Sequence, residues 1–591
     1  AGDGLYKGEL RGFPARTKVV FYVEAVDGAG ATRRFPVDAP ARTCLFMVND
    51  PVKQSMDSVR LVLDAARTQE LQTRTLHSND LLDGALVFND DEVYYNVGAR
   101  YRSSPWGRPS RANFRVRFED DQPFHRGRKA INLSSRGAQP NEGAAYWFAA
   151  RNGVPEKPVP AQDYFYVKAS INGAAFATHG IIQPIDRDFL VKWYGDAANG
   201  PALKVEGRRQ FNDAGDLAGM WDGASFVYKT EDRENYRGYF IPGIRRSIDD
   251  WSSFIALSKV MDRKQTPDAA FDAEIDKVLD VEEFLRVFAV RVITSDWDAF
   301  CVGNGHNGYL VLDPRDGRWE LLPFDVDNTF SNASTNLFQT PDGDVARLLN
   351  RPLVRRTYFR ILEELLDGYW SPITAKPYLD AIQAGTGVAT ATIKSYLTTN
   401  ANVVKNGIRL GTSAVFKIAT NAGADITTDA ASIELEGEAP VKVAAISYQR
   451  NQRREEALEP TWTSPVRWKA SFDLPEPANV FEFTGLDKLG GTLSTASITV
   501  ISTAQPGAFV RGDVNDDQFL NITDPIAVLR YLFGAASLSC LDAADFEANG
   551  KVDLTDAVGV LEYLFRQGPG PAAPYPRRGV DSTEDGLDCA R

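Results

Sequence analysis

The sequence predicts a multidomain chain. Its centre is α+β, β-sandwich segments flank that centre, and a small α-helical module with two cation loops closes it. Three observations predict this. At 591 residues the chain is too long for one hydrophobic core. A helix, a polar loop and a hairpin converge on "LLPFDVDNTF" (321–330), whose two aspartates are spaced to grip one cation. Near the C-terminus an acidic loop-and-helix unit occurs twice, opening at Asp513 and again at Asp545, 32 residues on.

Composition narrows the function. The chain is 43% hydrophobic and 25% charged with a formal net charge of −13. It has no basic stretch long enough to track a phosphate backbone, which argues against a nucleic-acid partner. No apolar run reaches the roughly 18 residues a membrane span needs. No signal peptide precedes Ala1, and "TKVVFYVEAVDGAG" already reads as sandwich strands, so the chain is expected to be a processed or trimmed product.

The elements follow in order. Residues 1–50 alternate as strands around a "DGAG" turn and read as a partial β-sandwich. The central domain is expected over 51–410. In it, "DVEEFLRVFAVRVI" reads as a helix with Asp280 as cap, Glu283 completing a capping box, and Phe284, Leu285, Phe288, Ala289 and Val292 on one face. A polar loop, "TSDWDAFCVGNGHN", leads into the hairpin "GYLVL-DPRDG-RWELLPFD". Residues 411–505 carry five strand-like runs and read as an Ig-like β-sandwich, joined by "TAQPGAFV" to a loop-and-helix module over 506–570 and a tail over 571–591.

Two chemistries fit "FDVDNTF". A phosphatase whose first Asp is a nucleophile would continue in strand–helix repeats of a doubly wound sheet, but helices follow Phe330 instead. The alternative is a kinase-like site. There Asp298 in the polar loop orients the acceptor hydroxyl and takes its proton, Asn307 (or Asn304) supplies an amide oxygen, and Asp325 and Asp327 hold Mg²⁺ or Mn²⁺ on the phosphates of ATP.

The stretch "DWDAFCVGNGHNGYLVLDPRDGRWELLPFDVDNTF" resembles the signature of the CotH (spore coat protein H) kinases, with Phe324 in place of the usual Trp. The resemblance covers about 75–410. It implies a bilobed atypical protein-kinase-like fold and transfer of the ATP γ-phosphate to protein Ser or Thr. It also implies nucleotide or phosphate contacts at Arg102, Arg117, Glu142, Gln183 and Lys204, with Glu142 pairing with a cation of "NFRVRF". Phe114, Val116 and Phe118 share one face of that strand, and Arg115 and Arg117 the other. Arg111, Arg115 and Arg117 stand where the family has lysines, Ser103 stands at a loop glycine and Gln183 at a Glu. These departures keep a second reading open, a catalytically weak pseudokinase serving as a structural or adhesive scaffold.

In the repeated unit, oxygen-bearing side chains occupy loop positions 1, 3, 5, 9 and 12. They are Asp513, Asn515, Asp517, Asn521 and Asp524, then Asp545, Glu547, Asn549, Asp553 and Asp556. This spacing wraps hard ligands around Ca²⁺. No helix is expected to enter either loop. Each runs into one whose apolar stripe is Ile526, Leu529, Leu532 and Phe533, or Val558, Leu561, Leu564 and Phe565. The unit resembles a type I dockerin, which implies a cohesin-type partner and a secreted or surface location. Gln518 stands where the first loop would prefer glycine, at a cost of roughly 1–2 kcal/mol in a left-handed conformation. A Cys540–Cys589 disulfide would close a 49-residue loop, worth roughly 4 kcal/mol by chain entropy. Cys44 and Cys301 read as buried thiols.

Overall fold

The computed structural model describes the chain except residues 1–7, 11, 50–51, 105–106, 155–157, 196–197, 215–216, 245–248, 334–335, 504–507, 535, 584 and 590–591. The middle of the expected linker "TAQPGAFV" therefore lies outside the described residues. The chain forms two compact units, Ala1–Thr412 and Ser413–Arg591.

The first unit opens on two strand pairs, Lys18–Phe21 with Cys44–Met47 and Val23–Val26 with Thr32–Phe35. Leu45 and Met47 pack on Val62 and Ala85. The expected partial sandwich is corrected here. Among the described residues no second layer covers the Val23–Val26 pair, and Val23, Val26 and Phe35 remain exposed.

Seven strands then close a barrel. Around it run Tyr164–Ile171, Ala177–Ile182, Ala130–Ser134, Phe114–Arg117, Glu92–Tyr101, Leu82–Phe88 and Ser58–Val62, the last returning parallel to the first. Period-two alternation fills the interior with Val59, Leu61, Leu86, Val97, Val116 and Ile131, and closure leaves no open edge. Phe114, Val116 and Phe118 face inward as expected. Asn172 and Gly173, at φ +50° and +78°, make the tight turn between the first two strands named.

Helix Asn141–Ala149 packs between the barrel and helix Val281–Ile293. The cap of the latter forms on one side only. Asp280 accepts from the Glu283 N–H at 2.9 Å, but Glu283 does not reach back. Its Oε2 accepts from the Leu321 N–H at 2.9 Å, and the Asp280 N–H donates to the Trp319 carbonyl. The expected capping box is thus replaced by a stitch from helix to hairpin, because the strand presents the same groups with tertiary packing behind them. That hairpin, Gly308–Asp313 and Arg318–Pro323, joins Ala202–Val205 and Phe240–Ile244 in a four-stranded sheet. Helices Gly343–Leu349, Pro352–Asp367, Pro372–Thr386 and Ala391–Gly407 follow, so the phosphatase alternative lacks its strand–helix repeats.

In the second unit a four-stranded and a five-stranded sheet share one core, including Leu435, Trp468, Phe481, Phe483 and Val500. Beyond it lie helices Thr523–Leu532 and Leu554–Arg566. Two expectations are corrected. A short helix, Leu541–Ala544, does enter the second loop. The apolar stripes are also split: Leu529 and Leu532 pack on a core of Val514, Val528, Ala544 and Ala557, while Ile526, Phe533, Val558 and Phe565 are exposed. A module this small buries only the near side of each helix.

Candidate functional site

The hairpin sets the geometry. Gly308 pairs with Pro323, which brings the residues just outside the two strands, Asn307 and Phe324, side by side. Asn307 and Asp325 both adopt left-handed backbone, at φ +60° and +55°. Such φ values cost non-glycine residues energy that surrounding contacts must supply.

Asp298 is the hub of the loop. Asn304 Nδ2 at 3.0 Å and His306 Nε2 at 3.1 Å reach one oxygen. Asn307 Nδ2 at 2.9 Å and Asn328 Nδ2 at 3.0 Å donate to the other. Burial alone would raise this carboxyl, but the bonds from His306, Asn304 and Asn328 outweigh it and hold Asp298 below its usual range. The Asn307 amide nitrogen is spent on Asp298, so its carbonyl oxygen is the atom left for a cation. His306 and Asn328 were not singled out from sequence, although both lie inside the quoted motif.

Around this hub the carboxylates crowd. Burial, then Asp325, pushes Asp327 up to about 6, with Arg136 opposing from 3.0 Å. Burial, then Asp325 and Asp327, pushes Glu142 up to about 8. Asp296, which sequence reasoning passed over, is fully buried and is pushed to about 7 by burial against the pull of Arg291. The side chains proposed as ligands, Asn307, Asp325 and Asp327, offer oxygen donors only, the donor type a hard divalent cation such as Mg²⁺ or Mn²⁺ takes.

Helix Asn141–Ala149 is fastened to this loop. Asn141 Nδ2 donates to the Thr329 carbonyl at 2.7 Å, and the Asp325 N–H donates to the Tyr146 hydroxyl at 3.2 Å. Tyr146 in turn donates to Gln162 Oε1 at 2.8 Å, and Gln162 Nε2 donates to the carbonyl of Gln183. The expected Glu142–cation pair is corrected. Glu142 accepts from the Ser134 hydroxyl at 3.2 Å and faces the aspartates. Arg117 is exposed and Arg115 turns to Asp186 at 3.8 Å. Strand alternation sends both arginines out of the barrel interior, and no contact of Arg117 with the site residues is seen among the described residues.

Lys204 is brought there. It pairs with Glu206 and lies 5.4 Å from the ring of Phe324, and lost hydration lowers it to about 8 while Asp325 pulls the other way. The charge of Arg102 bears on both Lys204 and Glu142. Gln183 is buried, its Oε1 accepting from the Asp163 N–H at 3.4 Å.

The two acidic loops of the second unit are built alike. Asp513 accepts from the N–H groups of Asp517 and Gln518, and Asp524 from those of Val514 and Asn521. Asp545 accepts from Asn549 and Gly550, and Asp556 from Phe546 and Asp553. These four carboxylates are buried, whereas Asn515, Asp517, Glu547, Asn549 and Asp553 are exposed and Asn521 half-buried along the loops. Gln518 sits at φ +69° where Gly550 sits at +79°. The Cys540–Cys589 disulfide is formed, and Cys44 and Cys301 are buried and free.

The family description "CotH kinase protein" matches residues 111–402, and "Dockerin type I domain" matches 511–565. The chain carries a CotH kinase protein domain and a type I dockerin domain. Arg102 and the first three barrel strands precede the matched CotH segment. Among relatives, the inner spore coat protein H of Bacillus subtilis is 22% identical over 309 residues, covering 50% of this chain and 78% of that protein. Invasin CotH2 of Rhizopus delemar is 25% identical over 174 residues, covering 29% of this chain; the chain spans only 27% of the invasin's length. A fibronectin(III)-like module of Clostridium thermocellum CbhA aligns with 15% of the chain at 10% identity and a TM-score of 0.13, too low for a fold assignment. Type I dockerin domains bind calcium, which the two loops fit by donor type and spacing. Among the described residues no helix is long and apolar enough to cross a membrane.

Proposed function

We propose that the chain is a secreted protein kinase that transfers the ATP γ-phosphate to Ser or Thr of extracellular or surface proteins and attaches to partners through its calcium-loaded dockerin. One observation carries the reading: the Asp298 carboxyl, bonded directly to Asn307 and Asn328, bears on Asp327, and the charge of Asp325 bears on both Asp327 and Lys204. Asp298 orients the acceptor hydroxyl and takes its proton as the new O–P bond forms and the bond from the γ-phosphorus to the β–γ bridging oxygen breaks. Asn307, Asp325 and Asp327 would hold Mg²⁺ or Mn²⁺, which neutralises phosphate charge when bound. Lys204 and Arg102 supply positive charge where the phosphates would lie.

The test is transfer of labelled γ-phosphate, with Mg²⁺ or Mn²⁺, to the protein itself and to acidic and basic acceptor proteins. Label is expected with wild type and not with Asp325→Ala; equal labelling by the two would sink the assignment. A second reading, a pseudokinase scaffold, is favoured by the engagement of Lys204 with Glu206 and by Glu142 having a hydroxyl rather than a base as its hydrogen-bond partner. It predicts no label and no ATP-dependent shift in melting temperature. On the dockerin, exposed Phe519, Ile526, Phe533, Val558 and Phe565 offer an apolar surface for a cohesin-type partner. Capture on an immobilised cohesin, lost with chelator, is the expected result.

A further inference from the structure

Beneath the site lies a buried ion pair that the mechanism above does not use. Arg291, in the last turn of helix Val281–Ile293, is 3% exposed and Asp296 is fully buried. Arg291 Nη1 donates to the carbonyl of Phe324 at 2.8 Å, and Nη2 donates to the carbonyl of Asn307 at 2.7 Å. Its Nε lies 3.0 Å from Asp296 Oδ2, and the Asp296 N–H donates back to the Arg291 carbonyl at 2.9 Å. The contact is an ion pair: neither oxygen of Asp296 receives a hydrogen bond among the described residues.

The two carbonyls are not arbitrary. They belong to the residue pair just past the hairpin register, and each adjoins a left-handed backbone. The Asn307 carbonyl reports the ψ of Asn307 itself. The Phe324 carbonyl fixes one side of the Phe324–Asp325 peptide, whose N–H is held on the other side by Tyr146 at 3.2 Å. That peptide plane sets the φ of Asp325. One planar guanidinium thus holds both strained residues at once. A lysine ammonium cannot match two acceptors with a rigid fork. A buried guanidinium facing only carbonyls would be an uncompensated charge, and Asp296 supplies the counter-charge.

We infer that Arg291, held by Asp296, is a positioning residue that sets Asn307 and Asp325 for cation binding. The inference rests on the reading of that site as a metal centre. Its measurement is Mn²⁺ affinity by calorimetry on the full chain without nucleotide, with the calcium loops saturated beforehand. It is made for wild type, Asp325→Ala, Arg291→Lys and the charge-neutral double variant Arg291→Met/Asp296→Asn, with melting temperature recorded for each. Transfer kinetics accompany it.

Arg291→Lys keeps the charge and loses the fork. It is expected to weaken Mn²⁺ about tenfold, within the range for residues that orient metal ligands, and to lower kcat while leaving the acceptor KM within about twofold. The double variant, which leaves no buried charge unpaired, is expected to lose affinity as much. Wild-type Mn²⁺ affinity in either variant, with Asp325→Ala having lost it, overturns the positioning role alone. Wild-type affinity in Asp325→Ala overturns the metal-centre reading and this inference with it. A fall in melting temperature without a fall in Mn²⁺ affinity makes the pair structural only and overturns the inference.

Discussion

The dockerin loops and the CotH centre both gather carboxylates, and they do so from opposite directions of the sequence. In each loop the key acids are Asp513 with Asp524, or Asp545 with Asp556, and backbone N–H groups from the same dozen residues satisfy them. The CotH centre draws Asp298 from a loop, Asp325 and Asp327 from the end of a hairpin and Glu142 from a distant helix. Side chains hold it together: Asn304, His306, Asn307 and Asn328 on Asp298, and Arg136 on Asp327. A site made locally is a property of its own segment. A site made by assembly depends on every element that delivers a ligand.

The widest separation between the two should come from Asp298→Asn. It removes the proton acceptor and keeps one of the two accepting oxygens. The other becomes an amide donor that faces the amide and imidazole N–H groups now bonded to it. We expect transfer to fall by about 10²–10⁴-fold with calcium binding at the dockerin unchanged; a fall below tenfold in single-turnover transfer breaks the assignment. Removing calcium should do the reverse. A ligand present at 1,000 times its Kd stabilises by about 4 kcal/mol, so chelator should melt the helices Thr523–Leu532 and Leu554–Arg566, followed by circular dichroism. The transition of the Ala1–Thr412 unit should stay in place, and a joint shift of both would show that the loops are not autonomous.

Within the dockerin a smaller difference is measurable. Gln518→Gly should relieve the left-handed strain of the first loop, and Gly550→Ala should introduce it in the second, each worth roughly 1–2 kcal/mol. Calcium affinity is then expected to rise about fivefold at the first loop and to fall similarly at the second; calorimetry that finds both changes within twofold discards strain as the source of asymmetry.

The smallest effect concerns an acid with neither an amide ring nor a cation site. Burial, then Asp342 and Asp262, raises Asp344 to about 6, and its Oδ2 is buried without a hydrogen bond. Raised from 3.8, this group costs stability as pH climbs from about 4 through 6, and the cost persists above. Asp344→Asn should therefore stabilise the first unit by about 1 kcal/mol at pH 8 and by nothing measurable at pH 4. An equal gain at both pH values would refute the burial argument.

The same contrast explains what was legible in the sequence. The left-handed Gln518 and the hairpin that delivers Asp325 both rest on short-range patterns, and each appears where it was read. Contacts across distant elements were read less well. Arg117 shares the "NFRVRF" motif but faces outward by strand alternation, and Glu142 turned to the aspartates because its helix is pinned by Asn141 and Tyr146. Asp296 was passed over because one residue separates it from an Asp298 that already had a role, and only burial tells the two apart. Nothing in the composition of "VFAVRVI" marks Arg291 as more than a charge on a helix.

The hairpin between Gly308 and Pro323 can be viewed as a length gauge. Its two strands are six residues each, and the count matters because it ends with Asn307 opposite Phe324. One residue inserted in either strand would slip that pairing and turn every later side chain to the other face, parting the two carbonyls that Arg291 spans. Added length in the turn between Asp313 and Arg318 would leave the count intact. Insertions and deletions should therefore be tolerated at the tip of this hairpin and rejected along its arms, although neither place contains a residue assigned above to the chemistry.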